Sequence, residues 1–125
     1  MTVRTIIVTH HAEFRHLLAQ FLCCLGRGYE VIDATSQLEE TLACIDSQSP
    51  DLVLVDAELA EGGSLAIVVA AQCRRPATTV IVLGSTDDAE YRRAALAAGA
   101  ARYISKAELV ATLPTVLRAA FPLDT

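Results

Sequence analysis

A parallel α/β fold, one sheet with helices on both faces, is predicted by three observations. Strand-like and helix-like segments alternate five times along the chain, the connections between them are short, and three of the strand segments are unbroken apolar runs. A run without polar alternation suits a strand covered on both sides rather than one facing water. The 125 residues read as a single domain, 1–125, long enough to bury a core. Alanine supplies much of the apolar content and tryptophan is absent, a composition that favours many small helix contacts on a sheet.

Thr5 to Val8 (TIIV) is a first buried strand ending in Thr9, His10 and His11. From Ala12 to Leu25, Phe14, Leu17, Leu18, Phe21, Leu22 and Leu25 recur at helical steps and predict one apolar face, with Gly26 and Gly28 stopping the helix. Tyr29 to Ala34 alternates and reads as an edge strand. Ser36 is placed to cap the next helix with Glu39 at the capping-box position; Leu38, Leu42 and Ile45 form its stripe, and SQSP closes it at Pro50. Leu52 to Val55 is the central strand, closed by Asp56. Ser64 to Gln72 is a helix apolar almost all round, tightly covered or facing a partner, and ended by Arg74, Arg75 and Pro76.

Thr79 to Leu83 (TVIVL) is a fourth buried strand, followed by Gly84, Ser85 and Thr86. Asp87 to Ala98 is a helix with acids in its first turn and Gly99 as its stop. Arg102 to Ile104 is a short fifth strand with Lys106 just beyond it. Pro114 complicates the last helix. A cap at Thr112 with Pro114 in the first turn, after one loose turn from Ala107, is favoured over a single kinked helix.

A formal charge of -5 leaves this domain without a basic footprint for nucleic acid or acidic membrane. No apolar run has the length of a membrane span, so a cytoplasmic location is expected. Cys23, Cys24, Cys44 and Cys73 fall within helical patterns without the paired short spacing of zinc sites; reduced, mostly packed thiols are expected. His10 and His11 are adjacent, so their side chains should diverge, and no third nitrogen or sulfur ligand is evident. No glycine-rich phosphate loop is present.

In a parallel sheet, chemistry gathers at the strand C-termini, which here hold Thr9 and His10, Asp56, Gly84 and Ser85, and Lys106. A carboxylate there marks either a site or a polar strand end. Lys106 is the only lysine beside nine arginines, which points to a need for a compact ammonium rather than a planar fork. Of opposite sign and expected to lie close together, Asp56 and Lys106 should pair directly.

On these residues the chain resembles the receiver domain of two-component response regulators. The resemblance covers nearly all of the chain and rests on PDLVLVD with Asp56, on GAARYISK with Tyr103 and Lys106, and on the element spacing between them. It implies a flavodoxin-like (βα)5 doubly wound sheet of strand order 2-1-3-4-5. It also implies Asp56 as phosphoacceptor, Lys106 as the partner lysine, and Tyr103 as an aromatic switch, or else as edge-strand packing. Glu58 stands where receivers tune access of water, though an exposed loop acid is its plainer reading. The implied partner is a histidine kinase or an output domain, and no enzyme activity is implied.

Two departures from the family pattern bear on chemistry. Receivers hold Mg²⁺ with an acidic pair after the first strand, and those positions read Thr9 and His10. His11 with Phe14 and Arg15 resembles the DDHxxFR pattern of regulators with a helix-turn-helix output, which anchors that register. The Thr or Ser that ends the fourth strand is replaced by Gly84; a one-residue slip would supply Ser85. Mg²⁺ wants hard oxygen ligands, which a hydroxyl and an imidazole replace poorly, so weak or absent binding is expected and no other cofactor. The sequence thus predicts a degenerate receiver acting as a signalling and protein-interaction module. Its third, fourth and fifth helices would meet a protein partner or a second copy. The alternative is a working phosphoacceptor at Asp56, as the N-terminal part of a DNA-binding regulator. A third reading is a metal or redox sensor using His10, His11, Cys23 and Cys24.

Overall fold

Period-two alternation along each apolar run sends successive side chains to opposite faces of the sheet, and this divides the interior into two cores. The computed structural model describes residues 2–25, 28–59, 63–84 and 88–122. Five strands, β1 (Val3–Val8), β2 (Tyr29–Thr35), β3 (Leu52–Asp56), β4 (Thr79–Gly84) and β5 (Arg102–Ser105), pair in parallel in the order β2-β1-β3-β4-β5. The helices are α1 (Ala12–Cys24), α2 (Leu38–Gln48), α3 (Ser64–Arg74), α4 (Ala89–Ala98) and α5 (Leu109–Ala120), the last entered through a 3-10 turn at Lys106–Glu108. The α/β class and the 2-1-3-4-5 order match the expectation, with β2 at an edge.

One core takes Ile7, Leu52, Leu54, Ile81 and Leu83 from the sheet and packs them against Leu18 and Leu22 of α1 and Leu113 and Leu117 of α5. The other takes Ile6, Val8, Val53, Val55, Val80 and Val82 and packs them against Ile45 of α2, Ile67, Val68 and Ala71 of α3, and Ala95 of α4. All five residues of β3 are buried. Full burial of one such aliphatic side chain stabilises by about 1.5–3 kcal/mol, so the unbroken runs account for much of the gain in folding.

Several local expectations are corrected. The Ser36 capping box does not form: Gln37 is the N-cap of α2 without a side-chain bond. Instead the Thr41 hydroxyl reaches back to the Gln37 carbonyl at 2.7 Å and shares a buried hydrogen bond with Thr35, which ties the turn to β2. In α1, Leu17 is 63% exposed, because the buried stripe centres on Leu18 and Leu22 and leaves it at the margin. Helix α5 runs unbroken from Leu109 with Pro114 inside it, so Thr112 is no cap. Pro114 withholds only the N–H owed to Val110, and burial of Leu109, Leu113, Val116 and Leu117 outweighs that single loss.

Helix α3 extends to Arg74, whose guanidinium forms an ion pair with Asp46 of α2. Its nearly uniform apolarity resolves into a buried face of Ser64, Ile67, Val68 and Ala71, with Val69 47% exposed on the outside. Asp88 caps α4 by accepting the N–H groups of Glu90 and Tyr91, and Gly99 ends it at a φ of 121°. Ser49, at a φ of 50°, closes α2 just before Pro50. The proposed stop at Gly26 and the start of α4 at Asp87 lie outside the described residues; Gly28 has a φ of 108°. The four cysteines are helical as expected but not mostly packed: Cys23, Cys24 and Cys73 are exposed and Cys44 is half-buried, because they fall on outer faces and last turns.

Candidate functional site

Alternation along β3 assigns Asp56 to the same side as Leu52 and Leu54, the side covered by α1 and α5. It is there that the structure gathers its partners. The end of β3 is tied to β4 by the Ala57 N–H on the Leu83 carbonyl at 2.8 Å, and the end of β1 to β2 by the Thr9 N–H on the Thr35 carbonyl at 2.9 Å. These bonds fix the two strand ends on which the site stands.

Asp56 is 1% exposed, and protein groups meet both of its oxygens. Oδ1 accepts from the Lys106 ammonium at 3.0 Å and from the Glu58 backbone N–H at 2.9 Å. Oδ2 accepts from the Thr9 hydroxyl at 2.7 Å. That hydroxyl accepts in turn from the His11 N–H at 3.1 Å, so its own proton is directed at the carboxylate. Burial pushes the Asp56 pKa up, but the Glu58 N–H, the Thr9 hydroxyl and the Lys106 ammonium together more than reverse this and hold it below the ordinary value. The group is therefore an ionised, fully partnered carboxylate.

Lys106 has a second contact that sequence reading missed, the face of the Phe14 ring 4.5 Å below its nitrogen. Helical spacing showed only that Phe14 faces inward; its position above the same crevice follows from α1 and α5 sharing one side of the sheet. Carboxylate and aromatic face together hold a charge whose side chain is 22% exposed.

The remaining expected site residues do not join this cluster. His10 is exposed, with its ring 4.0 Å from that of His11; the two do not diverge as expected, because the chain bends at His10 before α1. The Glu58 side chain is exposed, and only its backbone reaches Asp56. Gly84 and Tyr103 meet each other, in the core on the α2, α3 and α4 side. Ser85 lies outside the described residues.

The family model of the response regulator receiver domain matches residues 5–118. This chain belongs to the receiver domain family. The receiver is 30% identical, over 106 residues, to protein-glutamate methylesterase/protein-glutamine glutaminase 2 of Paramagnetospirillum magneticum (strain ATCC 700264 / AMB-1), an alignment covering 83% of this chain and 30% of that protein. It thus spans less than a third of that relative's length. Among solved structures, the response regulator domain of Thermotoga maritima CheB superposes with a TM-score of 0.85 at 19% identity, covering 100% of both chains. The CheX-CheY-BeF3-Mg complex from Borrelia burgdorferi contains a chain matching at a TM-score of 0.84 and 17% identity, over 95% of this receiver and 89% of that chain.

Whether the residues present fit a Mg²⁺ ion is decided by the donor set. The ion demands near-octahedral oxygen coordination, usually with carboxylates. The described crevice offers one carboxylate, with a hydroxyl, an N–H and an ammonium already directed at it. Among the described residues no three His, Cys, Asp or Glu side chains are grouped to hold a metal. The donor set of the described residues does not fit the ion.

Proposed function

We propose that this receiver is a signalling and protein-interaction module in which an internal ion pair holds the Asp56 crevice, with weak or absent Mg²⁺-dependent phosphorylation. The observation that carries this reading is the complete satisfaction of Asp56 by Lys106, Glu58 and Thr9. Phosphoryl transfer to a carboxylate needs an accessible oxygen and cations that neutralise the charge on the transferring group. Here the nucleophile is buried, and its one cation is spent on the ground state. Partners would be proteins: a histidine kinase, an output domain or protein, or a second copy of the chain. The charge of -5 disfavours nucleic acid, and no helix among the described residues is long and apolar enough to cross a membrane. A cytoplasmic, non-enzymatic role is part of the proposal.

The second reading, a phosphoacceptor at Asp56, is favoured by the pairing of Asp56 with Lys106 at the strand ends. One measurement separates the two. With millimolar Mg²⁺ and a small phosphodonor, intact-mass spectrometry should find the receiver unmodified. Stoichiometric phosphorylation that Asp56→Asn abolishes would replace the first reading with the second.

A further inference from the structure

The turns that follow β1, β2 and β3 border a groove of about 550 Å³ on the α2 and α3 side of the sheet. Sites for small molecules commonly measure roughly 300–1,000 Å³. The apolar wall of the groove is Leu38, Leu59 and Ile67. Leu59 and Ile67 belong to the core, whereas Leu38, in the first turn of α2, leaves 36% of its surface to solvent. Gly63 also lines the groove, and a Cβ built there meets nothing within 4 Å. Its φ of -82° suits any residue, so the space beside it is open without any demand from the backbone.

The polar side chains on the groove are His10, Ser36, Gln37 and Glu39. Among the described residues none of the four is hydrogen-bonded through its side chain, and Gln37, though the N-cap of α2, makes no cap bond with its amide. An apolar wall beside uncommitted polar groups suits a ligand that is part apolar and part polar. Glu39 decides the sign of its charge. Among the described residues that line the groove it is the one acid, with no arginine or lysine beside it, and the domain as a whole carries -5. An anion would meet like charge there and a cation would be paired. The N-terminal end of α2 would draw an anion, but Glu39 and Glu40 in its first turn already answer that field.

We propose that this groove binds a small organic amine, with its ammonium on Glu39 and an apolar body of about ring size on Leu38, Leu59 and Ile67. Ser36, Gln37 and His10 offer further hydrogen bonds to its polar substituents. The site uses neither Asp56 nor Lys106, so it stands under either reading of Asp56. A ligand there would join α2, α3 and the turn after β1, an input to the receiver that needs no phosphoryl group.

Titration of the receiver with tryptamine, followed through backbone amide shifts by NMR, tests it. Saturable shifts should appear at Leu38, Glu39, Gly63 and Ile67. Tryptophol, which keeps the indole and its stem but carries a hydroxyl for the ammonium, should bind roughly tenfold more weakly, and indole-3-propionate, which carries a carboxylate, should not saturate. Glu39→Gln should bring tryptamine down to the level of tryptophol. Gly63→Trp should fill the open space and block tryptamine in a folded domain. Equal affinity for the three compounds, preference for the acid, shifts confined to other residues, or no saturation by tryptamine would each overturn the site. If Gly63→Trp does not fold, the ratio of tryptamine to tryptophol affinity decides. A ratio that Glu39→Gln brings to about one gives the expected result, and a ratio it leaves unchanged gives the contrary one.

Discussion

Lys106→Ala should lower the unfolding free energy by about 3 kcal/mol at neutral pH, well beyond the ~1 kcal/mol of an exposed pair. The size follows from what is left behind, a carboxylate with no side-chain exposure that has lost its one cation. Because the Asp56 pKa lies below its ordinary 3.8, the unfolded chain binds the proton more tightly than the native one. The stability Asp56 contributes is thus fully present above that value and is lost as pH falls through the lower folded pKa. Removing the ammonium moves the folded pKa up, so the penalty of Lys106→Ala is largest near neutrality and shrinks on acidification through the carboxylate range. Urea unfolding of Lys106→Ala, Asp56→Ala and the double variant gives the coupling energy. A coupling near zero, or a penalty independent of pH, would mean that the pair contributes nothing to the fold.

Thr9→Asp with His10→Asp should produce an apo protein far less stable than the parent and one that Mg²⁺ rescues. The Thr9 hydroxyl is buried 2.7 Å from Asp56 Oδ2, so a carboxylate at position 9 meets another in a nearly dry crevice. Two like charges about 4 Å apart repel by roughly 4 kcal/mol at an effective dielectric near 20. The same pair of acids supplies the hard oxygens that the parent lacks. At a hundredfold excess of ligand over its dissociation constant, binding returns about 2.7 kcal/mol, so the variant's melting temperature rises with Mg²⁺ while the parent's barely moves. A folded variant whose melting temperature ignores Mg²⁺ would show that more than two missing acids closes the site. Adding Gly84→Ser to recover the missing hydroxyl is not a simple third step, since the Tyr103 ring already occupies that space.

The sheet was legible because the buried runs carry no polar alternation, and period two then divides them between two helix layers without further information. The contact between Asp56 and Lys106 was legible as well: one buried carboxylate and the sole lysine stand at the same edge of the sheet, at the ends of β3 and β5 with β4 between them. Thr9 was misjudged in kind. As the replacement for a metal-binding acid it looked like a loss, whereas its hydroxyl is a donor and gives Asp56 part of what the ion would have given. Phe14 and Tyr103 were hidden for a different reason. A glycine announces missing volume but not which side chain fills it, and helical periodicity places Phe14 inward without saying that a cation will rest on its ring. At Pro114, local preference argued for a helix start and the buried stripe of α5 overruled it.

The confinement of Lys106 between Asp56 and Phe14 also makes the site chemically addressable. Acylating reagents attack the free amine, and the chain carries a single lysine, so side-chain amine chemistry can occur at only one place. An ammonium engaged by a carboxylate and covered by an aromatic face must first leave both. In the native protein its acylation should therefore be slow and should accelerate in Asp56→Ala. Mass spectrometry following that modification with time would measure how often the crevice opens, and equal rates in parent and variant would mean that it stands open already.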